Sequence, residues 1–207
     1  MQLNTGEQLD TTVYLVPAKA KLEMLSDEVA DYALNTLKFK GKLNEKFVFL
    51  GPNTDNVVVV GLGTEEDMTR DQYVQAASTA AKILNEQKIT STSAQVTTYG
   101  TVDKSEVLQG IAEGFLQTDY SFDYYKKDKT SNSLTKVSLL TDLENADTLI
   151  EEVVNVLKSV NVTRDLVNTP ANDLYPETLA TKVEELFEGT QVDVEIFNKN
   201  DLEEISK

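Results

Sequence analysis

The sequence predicts an α/β fold, a layered mixed sheet flanked by helices, and three observations predict it. Strand-like and helix-like segments alternate from one end of the chain to the other. The strand candidates are short runs of β-branched and apolar residues, above all Val57, Val58, Val59 and Val60. Between them, apolar residues recur at helical spacing with acids on the opposite side.

Each element follows in order. Residues 11–16 are β-branched and aromatic and stop at Pro17, a strand followed by a break. Leu22, Leu25, Val29, Tyr32 and Leu37 then recur at helical spacing, with Asp27, Glu28 and Asp31 on the wet side. Residues 46–50 and 56–62 are two apolar runs separated by Gly51-Pro52-Asn53, which predicts neighbouring strands joined by a tight connection. Thr69 and Gln72 have capping-box spacing and open a helix whose stripe is Tyr73, Ala77, Ala80 and Leu84. The alanines on that stripe predict close packing on the sheet.

Residues 93–99 form the next strand candidate. Asp103 and Glu106 open a helix that buries Val107, Leu108, Ile111 and Phe115. After the aromatic and basic stretch 120–129 comes a strand at 136–140. A long helix from Asn145 to about Val167 carries Leu149, Val153, Leu157 and Val160. Pro176, suited to a first helical turn, opens another helix with Leu179, Val183, Leu186 and Phe187. Residues 192–197 read as a strand, and 201–207 as the start of one more helix.

Composition narrows the chemistry. The 207 residues hold 19 Lys+Arg against 35 Asp+Glu, a net charge of −16, so a phosphate backbone would meet a repulsive field. Zero Cys excludes disulfides, thiolate nucleophiles and Cys-ligated zinc, and zero His removes the usual general base near neutral pH. The opening ten residues are polar and resemble no export signal, and no apolar run is long enough to span a bilayer. A cytoplasmic protein without a membrane partner is the simplest expectation. Charge shifts along the chain: residues 142–207 carry 16 acids and 5 bases. That shift predicts a domain junction around the long helix. Residues 171–207 can hardly bury a core on their own, so they are expected to open a domain that continues.

Few candidate sites survive scrutiny. Gly61-Leu62-Gly63 follows an apolar strand, but the dinucleotide fingerprint would want a third glycine where Glu66 stands, and Glu65, Glu66 and Asp67 would repel a pyrophosphate. A strand-ending turn is the better reading. The acid pairs Glu151-Glu152, Glu184-Glu185 and Glu203-Glu204 sit between core positions and read as solvated faces. Tyr120, Phe122, Tyr124, Tyr125, Lys126, Lys127 and Lys129 could stack on and clamp a nucleic acid. The net charge disfavours such a partner, and Phe122 with its alternating neighbours is expected to close over the core while the lysines sit on a mobile loop.

One segment is specific. Thr163-Arg164-Asp165-Leu166-Val167-Asn168-Thr169-Pro170-Ala171-Asn172, followed by Pro176-Glu177 and Leu179-Ala180, resembles the signature that begins the catalytic domain in the leucyl aminopeptidase (cytosol aminopeptidase) family. Residues 57–63 (V-V-V-V-G-L-G) and 113–126 (E-G-F-L-Q-T-D-Y-S-F-D-Y-Y-K) resemble further family segments in the same order, and residues 192–202 match its next strand and helix start. Ala171 stands where a second proline is common, and Tyr175 where threonine often caps the helix.

The resemblance implies an N-terminal α/β module similar to macro domains over about 1–141, a connecting helix over 142–168, and the start of the peptidase domain over 169–207. It implies a parent that removes N-terminal amino acids, leucine among the favoured ones, with two divalent metals of Zn or Mn type. Those metals and the catalytic residues belong to the family's downstream catalytic domain. Asn53-Thr54-Asp55 echoes a family metal motif but lacks its continuation. The expected set of catalytic, cofactor-binding and metal residues in this chain is therefore none, and the chain is expected to be inactive alone. Its expected partners are its own catalytic domain and further copies in a hexamer. The alternatives are a macro-like module for a nucleotide such as ADP-ribose, and a nucleic-acid-binding module.

Overall fold

The computed structural model describes residues 1–51, 56–66, 68–129 and 131–205. Two compact units meet along the chain, Met1–Val160 and Asn161–Lys207. The turn residues Pro52 and Asn53, the triplet at 53–55, Asp67 and residues 206–207 of the expected last helix lie outside the described residues.

The first unit is built on one six-stranded sheet. Its strands are β1 (Gln2–Thr5), β2 (Thr11–Pro17), β3 (Lys46–Phe49), β4 (Asn56–Gly63), β5 (Ser91–Gln95) and β6 (Lys136–Leu140). Their spatial order is β1-β6-β5-β2-β4-β3. Every pairing is parallel except β3 with β4, so the sheet is mixed, as the sequence predicts.

The continuous valine run has a clear cause. Val58, Val60 and Leu62 of β4 join Val13 and Leu15 of β2 in one apolar cluster, with α2 (Arg70–Glu86) and α3 (Lys104–Asp119). Val57 and Val59 turn the opposite way, into a second cluster with Val16, Phe47, Phe39 and Val29. A strand covered on two faces needs apolar residues at every position. Val29 belongs to α1 (Asp27–Asp31), which runs on as a π-helical segment, Tyr32–Thr36.

Helices α2 and α3 approach each other closely, and small residues permit it. Ala76, Ala77, Ala80 and Ala81 of α2 are buried. A Cβ added at Gly114 of α3 would stand 2.4 Å from the Val74 carbonyl oxygen and 2.7 Å from the Ala77 Cβ. The Ser78 hydroxyl donates to the Gly114 carbonyl at 3.0 Å across the same contact. At the helix start, the Thr69 backbone N–H donates to Gln72 Oε1. At the start of α3, Asp103 accepts from the Ser105 N–H at 2.8 Å. These are the two caps that sequence spacing indicates.

Helix α4 (Ala146–Asn168) buries Ala146, Ile150, Val153 and Leu157, while Val160 is exposed. The second unit holds α5 (Pro176–Phe187) and α6 (Lys199–Ile205), and neither has a buried residue.

Three expectations need correction, and one strand carries no local sequence signal. Among the polar residues 1–10, β1 pairs in parallel with β6 from Gln2↔Lys136 to Thr5↔Leu139. The helix expected from Leu22 begins only at Asp27; Leu22 is left-handed (φ 56°) and buried. The strand expected at 93–99 runs Ser91–Gln95, because beyond Gln95 the chain turns toward α2 and its groups bond there. Residues 192–197 form no strand, since no described strand lies alongside to pair with them.

Candidate functional site

The carboxyl ends of the central parallel strands collect the chemically distinctive groups of the first unit. Tyr73 of α2 is fully buried, and its hydroxyl donates to the Thr97 carbonyl at 3.1 Å while accepting the Tyr99 N–H at 3.0 Å. This double bond pins the segment that leaves β5. Burial pushes the Tyr73 phenol up to about 12, and burial with the nearby Glu65 carboxylate raises Tyr99. Glu65 in turn accepts the Gly100 N–H at 3.3 Å, tying the end of β4 to the same segment.

A cavity of about 490 Å³ opens beside this segment, between β2 and the end of β5. Tyr14 and Leu15 supply one wall, and Gln95, Thr97 and Tyr99 another. Glu23 and Met24 reach it from the loop after β2.

The glycine pair Gly61 and Gly63 lies inside β4 rather than in a loop beyond it. A Cβ at Gly61 would come within 2.1 Å of the Lys42 carbonyl oxygen, and Gly63 has φ 86°. Close backbone approach and a turn conformation therefore account for the two glycines without a phosphate. Glu65 and Glu66 are exposed there.

The remaining sequence candidates separate in space and role. Glu151, Glu152, Glu184, Glu185, Glu203 and Glu204 are all exposed, as solvated faces should be. Among the described residues, no group of three or more His, Cys, Asp or Glu is placed to hold a metal ion. Residues 120–129 have no regular structure apart from a turn: Phe122 is half-buried and stacks obliquely on Tyr125 (ring centroids 5.9 Å), while Tyr124 is exposed. Lys126 pairs with Asp123 at 3.2 Å. Among the described residues, no helix is long and apolar enough to cross a membrane.

The signature segment straddles the end of α4 and the start of α5. Pro170 accepts from the N–H groups of Asp173 and Leu174, each at 2.9 Å, forming the turn between the helices. Tyr175 occupies the N-cap of α5, and Thr178, three residues on, makes the reciprocal bond of a capping box: its Oγ1 accepts the Tyr175 N–H at 3.0 Å. Sequence reasoning missed the Tyr73 contact and the cavity, since neither leaves a spacing pattern.

Residues 12–129 match the model of the N-terminal domain of the cytosol aminopeptidase family. A probable cytosol aminopeptidase of Clostridium tetani is 28% identical over 209 residues, covering 99% of this chain and 44% of its own length. The chain therefore spans less than half the length of that relative. Among solved structures, the bottromycin maturation enzyme BotP superposes with a TM-score of 0.80 at 19% identity, covering 95% of this chain and 41% of its own. A tomato leucine aminopeptidase variant superposes with a TM-score of 0.78 at 18% identity, covering 99% of this chain and 45% of its own. At such identities the two structures speak for the fold. The family match spans more than half of the chain and gives the family: this chain belongs to the cytosol aminopeptidase family, and residues 12–129 are its N-terminal domain.

Proposed function

We propose that this chain is the non-catalytic, assembly and access portion of a cytoplasmic metal-dependent leucyl aminopeptidase. Its partners are the catalytic domain and further copies in a hexamer. The parent removes N-terminal residues, leucine among the favoured ones, from peptides. The macro-like module covers about 1–141, the connecting helix 142–168, and the beginning of the peptidase domain 169–207. The observation that carries this reading is the match of residues 12–129 to the family's N-terminal domain. The signature at 163–180 supports it.

Two divalent metals would polarise the scissile carbonyl and activate water in such a parent. The described residues do not fit that group. Two-metal sites need carboxylates converging from separate elements, and among the described residues no three or more Asp or Glu converge. No catalytic step is assigned to this chain.

Titration calorimetry with Mn(II) and Zn(II) tests the assignment. The chain is expected to take up neither metal stoichiometrically at micromolar concentration. One or two equivalents bound with micromolar affinity would refute a non-catalytic role.

A further inference from the structure

The cavity beside Tyr99 lies where the topology of the sheet reverses. From β2 the chain proceeds through α1 toward β3 and β4, and α1 packs in the cluster on one face. From β5 it proceeds through α3 to β6, on the other side of β2, and α3 packs in the cluster on the opposite face. Neighbouring strands whose onward connections diverge to opposite faces leave a crevice at their carboxyl ends, and open α/β sheets bind ligands there. Tyr14 of β2 and Thr97 and Tyr99 beyond β5 line the cavity at that point. Its volume, about 490 Å³, lies within the range of small-molecule sites.

The lining defines the ligand chemistry. Two tyrosine rings and the Met24 thioether offer flat, polarizable walls, and Gln95 and Thr97 offer hydrogen bonds. Glu23 lines the opening, and Glu65 stands close enough to Tyr99 to act on its phenol. None of the described lining residues is basic. The nearest cation to Glu23 is Lys21, at 3.9 Å, with both side chains largely in solvent, where such a pair holds weakly. A phosphate would find no basic side chain in the lining, whereas a cation would find the Glu23 carboxylate and aromatic side chains.

Local structure holds the walls in place. Leu22 keeps a left-handed backbone (φ 56°) that L-residues adopt at a cost, and its side chain is buried in the core. The Leu25 N–H donates to the Leu22 carbonyl at 3.0 Å, closing the turn that carries Glu23 and Met24 at the rim. Across the cavity, the Tyr73 hydroxyl fixes Thr97 and Tyr99.

We infer that this switch-point cavity binds a small organic cation with an aromatic or apolar body, an amine rather than a nucleotide. The site is independent of the peptidase reading and would stand without it.

The test titrates the 207-residue chain with phenethylammonium, with 2-phenylethanol as its neutral counterpart and ADP-ribose as an anionic nucleotide, following amide shifts by NMR. Phenethylammonium is expected to bind saturably and severalfold tighter than the alcohol, with shifts centred on Glu23, Gln95 and Tyr99. Glu23→Gln, a change at an exposed position that leaves the fold intact, is expected to weaken the ammonium severalfold and leave the alcohol unchanged. Tyr99→Leu is expected to weaken both. Equal affinity for ammonium and alcohol, saturable binding of ADP-ribose in place of the amine, or no saturable binding at these residues would each overturn the proposal.

Discussion

The Tyr73 hydroxyl accepts the backbone N–H of Tyr99 at 3.0 Å, and so joins the buried face of α2 to the segment leaving β5. The same oxygen donates to the Thr97 carbonyl, so one side chain satisfies a donor and an acceptor where the strand stops pairing. Tyr73→Phe removes both bonds and strands two backbone groups. A loss of about 1–3 kcal/mol is expected in chemical denaturation.

The same phenol makes stability depend on alkaline pH. Its pKa is raised to about 12 in the folded chain, chiefly by burial, against an ordinary 10. A raised folded value means a contribution that is fully present below pH 10 and fades as pH climbs toward 12. Denaturation midpoints followed across that window are expected to fall in the wild type and to fall less in Tyr73→Phe. Parallel curves would show that another group carries the effect.

Gly114 governs the packing of α2 on α3. An added Cβ would overlap the Val74 carbonyl at 2.4 Å, and two packed helices must then separate. Gly114→Ala is expected to destabilise by about 1–3 kcal/mol despite alanine's better helix propensity. Unchanged thermal stability would mean that the helices slide apart at no cost.

Two buried serines hold the connection between β1 and β2. Ser93 Oγ accepts the Leu9 N–H at 2.6 Å and donates to the Glu7 carbonyl at 3.1 Å, while Ser138 Oγ accepts the Glu7 N–H at 2.9 Å. Ser93→Ala leaves two backbone groups unmet and is expected to cost about 1–3 kcal/mol. Hydrogen exchange at Leu9 is expected to accelerate selectively, and unchanged protection at Leu9 would contradict the assignment.

The second unit is expected to be far less protected than the first. No residue of α5 or α6 is buried, and Leu179, Leu186, Phe187, Ile196 and Phe197 all lie exposed. Short helices without packed faces are marginal in water. Exchange across α5 and α6 is expected to run much faster than across α2 and α3, with first proteolytic cuts between Asn168 and Tyr175. Slow exchange across α5 in a verified monomer would contradict this.

Elements whose own side chains state their environment were legible in the sequence. Val57 to Val60 announce a strand covered on both faces, and Tyr73, Ala77, Ala80 and Leu84 announce the buried stripe of α2; all are buried. Elements defined by their neighbours were not. β1 is polar Gln-Leu-Asn-Thr at a sheet edge and exists because β6 offers it a ladder, a partner 134 residues away in register. Conversely, Val192, Val194 and Ile196 alternate like a strand and form none without a partner. Leu22 kept the helical period but serves as a left-handed anchor instead. The cavity is set by strand order, which no local pattern encodes.

The central claim, that this chain carries no peptidase centre of its own, is tested most directly by hydrolysis of leucine p-nitroanilide. The purified 207-residue chain, supplied with Mn(II) or Zn(II), is expected to release no p-nitroaniline above the buffer blank. Metal-dependent turnover that scales with chain concentration and is abolished by a chelator would contradict the claim.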